Sequence, residues 1–268
     1  MNNLPLVSVG IPTYNRPEGL RKTLECITQQ TYKNLEIIIS DNNSSNLEVV
    51  KILEEFKTLD KRIICFQQTK NTGAAKNFHF VLKKAKGLYF MWASDDDIRE
   101  LDCIEYYISH IGNASAIFST YAIRNTRTLD FIIGKDLPML SGVNNKKDLA
   151  AFIYSLCPSM IYGLFTRKSL DDIYEDVGFD WADCFLLIKY ISRYGYKTVF
   201  ASAPKYFAGI DGEDYIVKPA NNSYLNPWIF FIKCLPYVIP LGYYPFKQHK
   251  SMCLNAWRNR HYIIRKLL

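Results

Sequence analysis

The chain has 268 residues, 49% hydrophobic and 22% charged, the make-up of a folded globular protein and not of a disordered or fibrous one. It holds no unbroken run of 18 apolar residues, which argues against a conventional membrane-spanning helix. The net charge of +7 sits at one end: no acidic residue follows Asp214, while Lys218, Lys233, Lys247, Lys250, Arg258, Arg260, Arg265 and Lys266 all lie beyond it.

The first 120 residues alternate between two periodicities. "LVSVGI" (6–11) reads as a buried strand that stops at Pro12. "PEGLRKTLECITQQ" (17–30) sets Leu20, Leu24 and Ile27 on one helical face, with Pro17 suited to the first turn. "LEIIIS" (35–40) is a second buried strand, followed by the turn-forming "DNNSSN". A helix over 47–59 and a strand over 62–68 come next.

"GAAKNFHFVLKKAKG" places Phe78, Val81, Leu82 and Ala85 at helical spacing, with Gly87 as its expected C-cap. "LYFMWA" (88–93) is a fourth strand and runs directly into "SDDD". "CIEYYISHI" and "ASAIFSTYAI" add a helix, expected to begin near Leu101, and one further strand. Residues 121–160 show no regular pattern. "DWADCFLLIKYISRYGYKTVF" (180–200) gives a helix from about Asp183 to Tyr194, a turn at Gly195 and a strand. In "NPWIFFIKCLPYVIPLGYYPF" (226–246) four prolines are expected to break any helix repeatedly.

The order β-α-β-α-β-α-β predicts an α/β fold with a mostly parallel sheet and helices on both faces. In such sheets ligands bind beyond the carboxyl ends of the strands. "PTYNR", "SDNNSS" and "SDDD" all fall at those ends. Three adjacent carboxylates after an apolar strand repel one another unless a positive charge sits among them. A divalent cation bound together with a diphosphate would serve, because Mg2+ and Mn2+ take oxygen ligands and Mg2+ usually combines one or two carboxylates with substrate phosphates. The plainer reading is a solvated acidic turn capping the next helix.

The sequence resembles glycosyltransferase family 2, with its GT-A nucleotide-sugar-binding fold. The likeness rests on "VSVGIPTYNR", "LEIIISDNNSS", "NTGAAKN", "KAKGLYFMWASDDD" and "WAD", in that order across residues 5–200. It implies transfer of a sugar from a nucleoside-diphosphate donor to an acceptor hydroxyl, with inversion and with Mn2+ or Mg2+ as cofactor. Carried over by position, it puts Pro12, Thr13 and Tyr14 in the nucleotide pocket and Asp41 on the base or ribose. Asn42 stands where a second acidic residue is common, and its amide adds a donor toward the base. Asn71, Gly73 and Lys76 would lie along the donor, Lys76 replacing a frequent Arg. Asp95 would face the ribose and Asp96 would coordinate the metal, with Asp95 and Asp97 as further ligand candidates and Ser94 at the first position of the triplet. Asp183 would be the general base; it also suits a helix N-cap, and Asp180 and Asp176 are the fallbacks.

Residues 1–215 then form the catalytic domain, with a nucleotide-binding half over 1–120 and an acceptor half over 121–215. Residues 216–268 form a basic, aromatic extension. The extension either packs on the core or attaches to an anionic membrane surface through 226–268. Nucleic acid is not an expected partner, since no recognised motif accompanies the basic tail. Tyr206, Phe207 and Asp211 are either acceptor-side groups or a plain surface loop. His79 reads as a packed or surface histidine. Seven scattered cysteines without a CxxC pair suggest reduced thiols in a cytoplasmic protein, and the N-terminus lacks the basic segment of a signal peptide. The overall expectation is a transferase extending a glycan or lipid-linked glycan for surface polysaccharide, lipopolysaccharide or capsule, peripheral on the inner face of the membrane. The alternatives are a non-catalytic nucleotide- or glycan-binding protein of the same fold, and a nucleotidyltransferase.

Overall fold

The computed structural model describes residues 4–119, 121–124, 131–133, 143–145, 148–149, 158–174, 182–201, 205–208 and 227–241. Its centre is β1 (Val7–Thr13), flanked in parallel by β2 (Leu35–Asp41) and β4 (Tyr89–Trp92); β3 (Ile63–Gln67) continues the sheet beyond β2. On the far side of β4, β9 (Leu164–Thr166) runs antiparallel between β4 and β6 (Ala116–Phe118), and β10 (Thr198–Phe200) closes the edge parallel to β6. The order is therefore β10-β6-β9-β4-β1-β2-β3. The chain steps outward from β1 to β3 and then returns to β4 on the other side of β1. That reversal opens a crevice at the carboxyl ends of β1 and β4.

Strand alternation sends alternate residues to opposite faces. Val7, Val9, Ile11, Ile37, Ile39 and Met91 pack with α1 (Pro17–Thr28), α2 (Leu47–Leu59) and α4 (Cys103–Ile111). Ile38, Phe90, Trp92, Phe118 and Phe165 pack with α3 (Ala74–Lys84), α5 (Arg167–Asp171), α6 (Ala182–Tyr194) and α7 (Pro227–Val238). Gly10 lets α3 come close: a Cβ there would sit 2.7 Å from the Phe90 ring and 2.8 Å from Val81.

Several sequence expectations are corrected. β1 does not stop at Pro12 but runs through it to Thr13. The Gly10 carbonyl accepts from Ala93 N–H toward β4, and Pro12 faces the same side two residues on, where β4 has already ended. Its missing N–H therefore costs no ladder bond. Gly87 is not the cap of α3, which ends at Ala85 in an extended conformation. Gly87 is required instead by contact with β1, since a Cβ would lie 2.6 Å from Ser8 Oγ. "ASAIFSTYAI" is two strands in two sheets: β6, and β7 (Tyr121–Arg124).

β7 belongs to a second sheet, β5-β11-β7-β8, with β5 (Ile98–Arg99), β8 (Phe131–Ile133) and β11 (Tyr206–Ala208). Tyr206 and Phe207 therefore lie on a strand, paired with Arg99 and Ile98, and not in a plain loop. The next helix, α4, begins at Cys103 with Asp102 as its N-cap residue, so "SDDD" does not cap it. α7 is continuous through Pro236, which costs one intrahelical bond near its C-terminal end. Cys234 and Val238 of α7 are buried in the core, and Tyr237 meets Phe185 of α6 edge to face. No helix among the described residues is long and apolar enough to cross a membrane. The basic segment 242–268 lies outside the described residues.

Candidate active site

The loop leaving β1 is held by Asn15, whose backbone adopts a left-handed conformation (φ 55°). Its side-chain oxygen accepts from Ser45 N–H at 2.8 Å and from Asn46 N–H at 3.0 Å, while its own N–H donates to Ser44 Oγ at 2.8 Å. The ends of β1 and β2 are thereby tied together. Asp41, at the end of β2, is fully buried. Its Oδ1 accepts from the Ser44 hydroxyl at 2.5 Å and from Ser44 N–H at 3.0 Å. Its Oδ2 is buried without a hydrogen-bond partner among the described residues. Tyr14 beside it is 43% exposed, an aromatic face open to the crevice mouth.

Asn42 ties the end of β2 to the loop before α3. Its side chain is buried and spans the loop that opens α3: Nδ2 donates to Asn71 Oδ1 at 2.9 Å, and Oδ1 accepts from Thr72 N–H at 2.9 Å. Asn71 Oδ1 also accepts from Gly73 N–H at 2.9 Å, and Gly73 takes φ 87°, which favours glycine. Asn77, one turn into α3, donates to the carbonyls of Ser40 at 2.9 Å and Thr13 at 3.4 Å. Asn71, Gly73 and the exposed Lys76 are thus fixed at the rim formed by β1 and β2.

"SDDD" leaves β4 as a turn pressed onto α1. The Thr23 hydroxyl lies 3.1 Å from the carbonyl oxygens of both Ser94 and Asp97. A Cβ on Gly19 would come within 2.4 Å of the Asp95 carbonyl, so only glycine permits this approach. Asp95 Oδ2 accepts from Thr13 Oγ1 at 2.8 Å and from Tyr14 N–H at 3.4 Å. Ser94 Oγ donates to Asp96 Oδ1.

The positive charge among these carboxylates is Arg16. One nitrogen, Nη1, lies 3.1 Å from Asp95 Oδ1 and 2.6 Å from Asp96 Oδ2. Burial pushes the Asp95 carboxyl up to about 6, against the pull of Arg16 and the Thr13 hydroxyl. Sequence reasoning missed Arg16 as a site residue, although it closes the "PTYNR" motif. It lies 79 residues from Asp95, and only the fold joins them.

Asp97 is buried and its charge bears on the Tyr162 phenol, as do those of Asp96 and Asp183. Tyr162, in the short 3-10 helix Pro158–Tyr162 before β9, also meets the Ser94 hydroxyl, and Arg99 lies 6.0 Å from its ring. The aspartates that follow β4 and Asp183 thus all bear on Tyr162, which no sequence pattern marked. Asp183 sits inside the first turn of α6 and not at its cap, with Oδ1 accepting from Cys184 N–H at 2.7 Å. Burial raises its carboxyl above the ordinary range. Trp181, Asp176, Asp180 and Asp211 lie outside the described residues. His79 stacks on Tyr174 at 4.1 Å.

The glycosyl transferase family 2 model matches residues 8–195, well over half of the chain. The chain belongs to glycosyl transferase family 2. It is 35% identical, over 119 residues, to the UDP-Glc:alpha-D-GlcNAc-diphosphoundecaprenol beta-1,3-glucosyltransferase WfaP of Escherichia coli, covering 44% of this chain and 46% of that protein. An uncharacterised glycosyltransferase of Haemophilus influenzae is 35% identical over 111 residues, covering 41% of this chain and 34% of that protein. The chain spans less than half the length of these curated relatives. Among solved structures, Staphylococcus aureus TarS 1-349 in complex with UDP-GlcNAc superposes with a TM-score of 0.69 at 18% identity, covering 96% of this chain and 72% of that one. This likeness establishes the GT-A fold, which the chain shares with a structure solved in complex with UDP-GlcNAc.

Proposed function

We propose that this transferase moves a sugar, with inversion, from a UDP- or dTDP-linked donor to a hydroxyl of a glycan or lipid-linked glycan acceptor. The observation that carries the proposal is the meeting of Thr13, Arg16, Asp95 and Asp96 at the crevice between β1 and β4, with the charges of Asp96 and Asp183 both bearing on Tyr162. The buried, unpartnered Asp41 Oδ2 is an acceptor waiting for a donor and suits the N–H of a pyrimidine base, with Tyr14 exposed beside it as a stacking face. The rim of Asn71, Gly73 and Lys76 would follow the donor toward its diphosphate.

A divalent cation fits this donor set. Asp95 and Asp96 already hold one cationic group between them, and they supply oxygen ligands alone. Among the described residues no group of three or more His, Cys, Asp or Glu converges on one point. Two carboxylates completed by phosphate oxygens is the arrangement Mg2+ favours. A metal held there would stabilise the charge developing on the departing diphosphate. Asp183 takes the proton of the incoming hydroxyl, and its raised pKa brings it nearer the value a base needs at neutral pH.

WfaP is named for a diphosphoundecaprenol-linked acceptor, which supports a lipid-linked substrate here and a place at the inner face of the membrane. Ile232 and Ile239, 62% and 56% exposed at the α7 end of the molecule, precede the basic segment 242–268 and would meet such a surface. The test is calorimetric titration of UDP, dTDP and GDP with and without Mn2+, followed by transfer assays with the sugars of the nucleotide that binds. Failure of all three to bind would overturn the donor reading.

A further inference from the structure

The ion pairs of Arg16 with Asp95 and Asp96 are not needed in this form by the proposed reaction. Arg16 is the N-cap residue of α1, a position where the helix dipole disfavours a cation. It is held there by two carboxylates that the donor site would use for a metal. Its side chain is 30% exposed, so it borders solvent as well as the two carboxylates. We infer that Arg16 is an internal cation that competes with the divalent metal for Asp95 and Asp96, so that metal binds tightly only together with the nucleoside diphosphate. This rests on the donor-site reading above.

Asp95 and Asp96 contribute two negative charges, and Arg16 cancels one of them. A divalent cation placed on the same oxygens leaves a net positive site with two cations within a few ångströms. Those cations repel each other, and most strongly where water is excluded. A diphosphate changes the balance: it adds negative charge at the carboxyl ends of β1 and β4 and offers Arg16 a bidentate partner. Arg16 then moves from carboxylate to phosphate, and the carboxylates are released. Coupling of this kind is reciprocal, so the metal must tighten nucleotide binding by the factor with which the nucleotide tightens metal binding. A donor site so arranged resists metal occupation, and the charge it would bring, until a donor arrives.

The test measures free Mn2+ by electron paramagnetic resonance during titration of the whole chain, without nucleotide and then with UDP, against a protein-free UDP control. Wild type is expected to hold Mn2+ weakly alone and at least about tenfold more tightly with UDP. Arg16→Gln is expected to bind Mn2+ without nucleotide at least about tenfold more tightly than wild type. Arg16→Lys, which keeps the charge, should stay as weak as wild type. Circular dichroism checks that each variant is folded. Equal or weaker nucleotide-free Mn2+ binding by folded Arg16→Gln would overturn the inference. So would wild type that binds Mn2+ equally well with and without UDP while binding UDP. If Arg16→Gln does not fold, the wild-type comparison decides alone. If UDP does not bind at all, the donor reading falls, and the nucleotide-free comparison of wild type, Gln and Lys variants still decides the competition.

Discussion

Asn42 Nδ2 donates to Asn71 Oδ1 at 2.9 Å, and this bond joins the end of β2 to the loop that opens α3. Asn71 cannot turn its amide to suit a different partner, because the same oxygen also accepts from Gly73 N–H. Asn42→Asp keeps the acceptor for Thr72 N–H but sets a carboxylate against Asn71 Oδ1. The expected cost is about 1–3 kcal/mol for a buried acceptor left facing an acceptor. Thermal denaturation should show a melting temperature several degrees lower, and UDP affinity should fall with it. An unchanged melting temperature would remove Asn42 from the scaffold and return it to the base.

Gly19 carries a second prediction. Its place on α1 lets the "SDDD" turn sit against the helix, and a methyl group there would meet the Asp95 carbonyl at 2.4 Å. Gly19→Ala improves helix propensity locally, by roughly 1 kcal/mol in an ordinary helix. Here the gain is expected to be reversed by the backbone clash, with a net loss of about 1–3 kcal/mol. Because the displaced atoms belong to Asp95 and Asp96, nucleotide and Mn2+ affinity should both drop even where the protein stays folded. Calorimetry on the folded variant checks this.

The sequence made β1, β2 and the helices around them legible because these two strands are long and fully buried. Val7 to Thr13 and Leu35 to Asp41 are buried at every position, and α1 to α3 carry clear apolar faces. The clustering of motifs at strand ends located the crevice as well. Long-range pairings were not legible. Nothing in the local pattern links Arg16 to Asp95 or Tyr162 to Asp183. The strands β5, β7, β8 and β11 have two to four residues each, too few for a period of two to stand out. Gly87 was misread for a related reason: its neighbour is Ser8 on another strand, so its purpose is tertiary and not a cap.

Asp95 predicts how stability responds to acid. Its folded pKa, about 6, lies above the unfolded value of 3.8 because burial disfavours the charge. The stabilisation linked to its proton is therefore fully present below pH 3.8 and is lost as pH rises through about 6. Relative to Asp95→Asn, wild type should lose on the order of 3 kcal/mol between these limits, at 1.36 kcal/mol per unit of pKa. Paired denaturation curves at pH 4.5, 5.5 and 7 test it. A difference between the two proteins that does not change with pH would mean that Arg16 and Thr13 outweigh burial and keep Asp95 ionised throughout.

Asp183 gives the sharpest separation of chemistry from structure. Its carboxyl is raised by burial, so at pH 7 its charge costs the folded state more than the unfolded one. Asparagine keeps an oxygen for Cys184 N–H and removes that charge. Asp183→Asn should therefore lower turnover by ~10²–10⁴-fold, the range of a general base, while the melting temperature holds or rises. UDP affinity should change little, because Asp183 is not among the carboxylates that hold Arg16. A loss of turnover accompanied by a fall in melting temperature of several degrees would assign Asp183 to the support of α6. Loss of activity without loss of stability, with UDP affinity kept, is what a group held in place for the reaction at a cost to the fold produces.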